Sequence, residues 1–143
     1  MKFISSLILI SYFSLNYSFG QKEAESLEIV KMKMKKQENL WNLGNINGFM
    51  DFYWKSDSLK FIGKNGITYG WKKTLDNYLK SYPTKQEMGD LSFIIIECSS
   101  LSNESIFIIG KWELKKVQSV GGYFTLLWKK INNDWVIVVD HTS

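Results

Sequence analysis

The chain has 143 residues and a mass of 16.7 kDa, enough for one domain of ordinary size and too little for a two-domain enzyme. Hydrophobic residues at 45% and charged residues at 22% sit near globular averages, which excludes a disordered or collagen-like chain, and a single Cys excludes a disulfide scaffold. The net charge of +4 comes from 18 basic residues, every one a Lys, against 14 acidic ones; without the planar fork of Arg to grip phosphates and guanine edges, no nucleic-acid partner is expected.

Residues 1–20 read as an export signal. Lys2 gives a short positive start, Phe3 to Leu15 an apolar run, and Ser18-Phe19-Gly20 small residues suited to cleavage before Gln21. The run is about 13 residues long, short of the roughly 20 that span a bilayer, so a permanent membrane anchor is not expected and the mature protein is placed in the periplasm or outside the cell. The alternative is an uncleaved N-terminal helix. Cys98 has no partner in the chain and lies in the apolar stretch Leu91 to Ser99; it reads as a small packed hydrophobe, since a reactive thiolate needs an exposed, electropositive setting. One His and one Cys, far apart in sequence, make no metal-ligand spacing.

From Gln21 to Leu43 apolar residues recur at Leu27, Val30, Met34 and Trp41, the period of an amphipathic helix. Acidic residues (Glu23, Glu25, Glu28) precede the lysines Lys31, Lys33, Lys35 and Lys36, as the helix dipole favours. Gly44 stops this helix and Asn45 caps a second, whose inward face is Ile46, Phe49, Met50 and Tyr53. Leu59 to Ile62 is a short strand and Lys64-Asn65-Gly66 a turn. A third helix runs from Gly70 through Trp71, Leu75, Tyr78 and Tyr82 until Pro83 ends it.

Beyond Pro83 the helical period gives way to four β-rich runs: Leu91 to Ser99, Ser105 to Leu114, Gly121 to Ile131 and Trp135 to His141. Their short connections suit an antiparallel meander. Helices first and a curved sheet afterwards define an α+β domain, residues 21–143, with three N-terminal helices packed on one face of an antiparallel sheet.

In this order of elements, and in Trp41-Asn42-x-Gly44, Phe49-x-x-x-Tyr53-x-x-x-Asp57, Tyr69-Gly70, Gly110-x-Trp112 and the ending Trp135-Val136-Ile137-Val138-Val139-Asp140-His141-Thr142-Ser143, the chain resembles the nuclear transport factor 2-like superfamily. Within it, the resemblance is in particular to the SnoaL-like proteins and the exported group called domain of unknown function 4440. The resemblance implies a cone-shaped fold whose bent sheet encloses a pocket beneath the helices. Members use that pocket as isomerases, cyclases, dehydratases or small-ligand binders, or use the fold to dimerise. The resemblance also places the isomerase base at Ile62, an aliphatic residue that cannot abstract a proton; Glu97 and Glu113 are substitutes only if they do not face the surface.

Three residues are candidates for chemistry. Tyr53 and Asp57 share a face if the second helix continues through them, and a hydroxyl beside a carboxylate could orient a carbonyl-bearing ligand; alternatively Tyr53 fills the core and Asp57 ends the helix. His141, the one side chain that ordinarily titrates near neutrality, falls by strand alternation on the face of Trp135, Ile137 and Val139, with Asp140 opposite. It reaches the pocket mouth if that face is concave, and otherwise bonds backbone or solvent. Aromatics make up 15% of the chain; of these Trp41, Trp54, Tyr69 and Trp112 are the candidate ligand-binding walls. The expectation is an exported protein whose pocket binds a small, largely apolar molecule without cofactor or metal. The alternatives are a pocket enzyme of the cyclase, isomerase or dehydratase type using His141 with Asp57 or Tyr53, and a module that forms a homodimer through its sheet.

Overall fold

The computed structural model describes the backbone of residues 4–143 and the side chains of residues 20–143. The expected export signal, residues 1–20, lies outside the described residues apart from the backbone of the first helix and Gly20. Among the described residues no helix is long and apolar enough to cross a membrane.

The first helix, α1 (Ile4–Asn42), buries one stripe, Val30, Met34, Gln37 and Trp41, at the spacing its sequence period requires. Gly44, at φ 77°, turns the chain out of it, a left-handed conformation that a side chain resists. Asn45 then caps α2 (Ile46–Met50), its Oδ1 accepting the Gly48 N–H at 2.8 Å. This helix is shorter than expected and ends before Tyr53. The chain continues into a hairpin of β1 (Lys60–Gly63) and β2 (Gly66–Tyr69), the second of which was not foreseen. Then come α3 (Trp71–Ser81) and a further short helix, α4 (Lys85–Met88), capped by Thr84.

Four long strands follow: β3 (Asp90–Ser102), β4 (Ser105–Lys115), β5 (Val120–Ile131) and β6 (Asp134–Thr142). They form the expected antiparallel meander, with Asn132 and Asn133 in left-handed conformation at the tight turn between β5 and β6. The whole sheet is mixed, because β1 joins it parallel to β6; the order is β2-β1-β6-β5-β4-β3.

Curvature has identifiable sources. Gly110 lies in mid-β4 between Ile95 and Phe124, and a Cβ there would stand 2.3 Å from the Phe124 ring and 2.8 Å from the Ile94 carbonyl. Bulges interrupt β3 between Ile95 and Glu97 and β6 around Val138, bending both strands. The edge strand β3 is held by α1: the Asn42 side chain exchanges two hydrogen bonds with the Leu91 backbone (2.6 and 2.9 Å), and Glu38 accepts the Phe93 N–H at 2.8 Å. Side chains thus satisfy backbone groups that would otherwise offer a pairing edge.

At one end of the sheet the row Ile106, Trp128 and Ile137 is wholly buried, as are Val30, Met34 and Met50 from the helices. This end is solid. The other end is hollow.

Candidate functional site

The hollow end holds a cavity of about 760 Å³. Its sheet wall consists of neighbouring rows: Leu91 with Leu114, Phe93 with Trp112, Phe124 with Thr142, and Leu126 with Asp140. From the other side come Trp41 of α1, Phe49 of α2, Phe61 of β1, and Tyr78 and Tyr82 at the end of α3. Edge-to-face contacts lock these rings, with centroids 5.1 Å apart for Trp41 and Phe49, 4.9 Å for Trp41 and Tyr82, and 5.5 Å for Phe49 and Tyr78. Such pairs add packing energy and fix the shape of the wall.

One polar cluster interrupts the apolar lining. Asp140 is 4% exposed; its Oδ2 accepts the Tyr53 hydroxyl at 2.7 Å and its Oδ1 the Thr142 hydroxyl, also at 2.7 Å. Burial pushes the Asp140 carboxyl above its ordinary value, against the opposing pull of the two donated hydrogen bonds and of His141. The Tyr53 hydroxyl is held well above its usual value, first by burial and then by the Asp140 charge and Tyr78. Burial and Asp140 do the same to Tyr78. The two tyrosines therefore stay protonated, as hydrogen-bond donors facing the cavity. The Nε1 of Trp112 is buried without a hydrogen-bond partner beside Gly122 of β5, so this ring offers the cavity apolar surface rather than its N–H.

Asp140 owes its position to the bulge in β6. Trp128 pairs with Ile137, but Leu127 pairs with Val139 and Leu126 with Asp140, so Val138 is an extra residue. It shifts the alternation by one, and every later side chain changes face. Just before the bulge the segment Phe52–Trp54 lies along β6, with the Ile137 N–H donating to Phe52 O and the Trp54 N–H to Ile137 O, each at 2.9 Å. This brings Tyr53 against Asp140.

The same bulge corrects the expectation for His141. It is exposed, pairs with Thr125 and Ile62, and lies on the outer face, away from the cavity. Asp57 is also misplaced by the sequence reading: α2 ends at Met50, so Tyr53 and Asp57 share no helical face, and Asp57 is exposed in a turn beside Gly70. Of the expected walls, Trp41 and Trp112 line the cavity. Trp54 does not, because its neighbour Tyr53 takes the inward position; it is half-buried elsewhere. Tyr69 does not either: alternation along β2 turns Thr68 into the cavity and leaves Tyr69 56% exposed. Glu97 and Glu113 face solvent. Cys98 is half-buried, with its thiol pushed up by burial.

Sequence reasoning missed Asp140, Tyr78 and the ring set Phe49, Phe61, Tyr82, Phe93 and Phe124 as one site. A signal for Asp140 existed: Val136 to Val139 are four consecutive apolar residues, a break in strict alternation that marks a bulge or a strand buried on both faces.

No protein-family model matches the chain, and no curated protein does. Solved structures do. A nuclear transport factor 2-like protein of unknown function from Shewanella oneidensis is 40% identical, with a TM-score of 0.76, over 80% of this chain and 95% of that one. A nuclear transport factor 2-like superfamily protein from Salmonella enterica (16% identity, TM-score 0.67, 84% and 91% covered) shares the fold. So does a ketosteroid isomerase-like protein from Erwinia carotovora (17% identity, TM-score 0.67, 83% and 95% covered).

Proposed function

The chain belongs to the nuclear transport factor 2-like superfamily, and on that footing we propose that residues 21–143 act, after export and loss of residues 1–20, as a receptor for a small, largely apolar molecule. The observation that carries this reading is the cavity of about 760 Å³ with its aromatic walls. That volume lies in the range of small-molecule sites, and a few placed polar groups in an apolar lining are what orient a ligand. Tyr53 and Asp140 are those groups here. The test is saturation of the full chain with the neutral fluorophore N-phenylnaphthylamine. Binding at one site, abolished in Leu114→Trp by the indole entering the cavity, is the expected result; no saturable binding, or binding unaffected by Leu114→Trp, overturns it.

A second reading is favoured by one observation, the Asp140 carboxyl raised by burial inside the same cavity. A carboxyl of that kind can exchange a proton with a bound substrate. An isomerase, cyclase or dehydratase would then use Asp140 and Tyr53 rather than His141 and Asp57. Asp140→Asn would abolish turnover while probe binding persists; equal loss of both points to binding alone. Homodimerisation through the outer sheet face is compatible with either reading and is supported by the exposed Ile94, Ile96 and Tyr123. Light scattering at high concentration measures it.

A further inference from the structure

One side of the cavity mouth is built by two elements with exposed residues, the turn from β1 to β2 (Lys64, Asn65, Gly66) and the outer end of α3 (Asn77, Lys80, Ser81); the exposed Val120 and Ser143 lie on the sheet side, and the deeper walls are buried or half-buried. A hydrogen bond of 3.3 Å from Asn77 Nδ2 to Thr68 Oγ1 ties α3 to β2 and keeps these elements side by side. Each contributes one lysine. Among the described residues the ion pairs engage Lys31, Lys33, Lys35, Lys55, Lys72 and Lys85, and neither Lys64 nor Lys80 is in one. No Asp or Glu side chain lines the mouth; the single acidic side chain in the lining is Asp140, in the interior.

Resting on the pocket reading above, we propose that the ligand is an amphipathic anion: an apolar body enters the aromatic interior and a carboxylate or sulfonate-like head stays at the mouth between Lys64 and Lys80. The charges fix the orientation. Burying the anion would strip its hydration among aromatic rings and set it beside Asp140, with no cation in the interior lining to compensate. At the mouth the head keeps part of its water and gains two unpaired ammonium groups. A cationic amphiphile meets the reverse field and is disfavoured on entry. The inner end of the ligand is neutral and takes its hydrogen bonds from the Tyr53 and Asp140 cluster.

Two probes with one aromatic skeleton test this on the full chain at low salt: anilinonaphthalene sulfonate, an anion, and N-phenylnaphthylamine, which is neutral. Only binding removed by Leu114→Trp is counted. The anion is expected to bind roughly tenfold more tightly, as two partly screened charge contacts allow. Lys64→Gln with Lys80→Gln should erase that preference and leave the neutral probe unchanged, whereas Lys73→Gln with Lys129→Gln, exposed lysines outside the cavity, should preserve it. Equal affinities in the parent, a preference surviving the mouth variant, or the same loss in the control pair overturns the proposal while leaving the pocket reading intact. Binding of neither probe overturns both.

Discussion

The Asp140 carboxyl gives up most of its hydration inside the cavity wall and keeps hydrogen bonds from Tyr53 and Thr142. Burial outweighs those bonds, so its pKa in the folded protein lies above the ordinary 3.8. The native state therefore holds the proton more tightly than the unfolded chain. The associated stability is complete below the unfolded value and is lost as pH rises through the elevated folded one. Asp140→Asn removes this dependence. Urea midpoints measured from pH 4 to pH 7 should show the parent losing ground to the variant as pH rises; a constant difference would contradict a raised carboxyl. His141→Ala makes the opposite point. An exposed imidazole on the outer face lines no part of the cavity and is the weakest of the influences on Asp140, so probe affinity should stay within about twofold and stability within about 0.5 kcal/mol.

At the scale of elements, bends in the strands decide where side chains face. Gly110 lets the Phe124 ring lie directly over the β4 backbone, and Phe93 packs on that ring at 5.4 Å. Gly110→Ala forces a methyl into this contact and should cost about 1–3 kcal/mol, since an overpacked core must shift rings or backbone. Denaturant unfolding measures the loss, and reduced probe binding should accompany it because Phe124 and Phe93 line the cavity. An unchanged midpoint would mean that the sheet can flatten there at little cost. The bulge at Val138 acts by parity: one extra residue exchanges His141 for Asp140 at the cavity wall.

In the molecule as a whole, a solid end and a hollow end share one sheet. The rows through Ile106, Trp128 and Ile137 are filled to the last side chain, and their continuation toward Leu91 and Thr142 is not. A ligand that fills the hollow binds the folded chain alone, so it stabilises by mass action, about 2.7 kcal/mol at a concentration one hundred times its dissociation constant. Thermal unfolding with saturating anilinonaphthalene sulfonate should shift the midpoint upward by several degrees. In Leu114→Trp the shift should vanish, whereas a shift retained there would locate the ligand elsewhere.

Fold class, the order of the main elements and the four-strand meander were legible in the residues themselves, though not β2 or α4, because amphipathic period, caps and turn residues are local physics. The stripe of Val30, Met34 and Trp41, the Asn45 cap and the stop at Pro83 all express interactions within a few residues. Aromatic content pointed to a wall, and of the four residues expected there Trp41 and Trp112 line the cavity while Trp54 and Tyr69 do not; Tyr53, expected for chemistry, lines it too. The sequence could not announce where alternation would slip. Whether Asp140 or His141 enters the cavity depends on one extra residue in β6 and on the segment Phe52–Trp54 lying against it, and whether Tyr69 or Thr68 does depends on which edge β2 takes. Facing is a property of pairing between distant strands, and only the assembled sheet fixes the register that decides it.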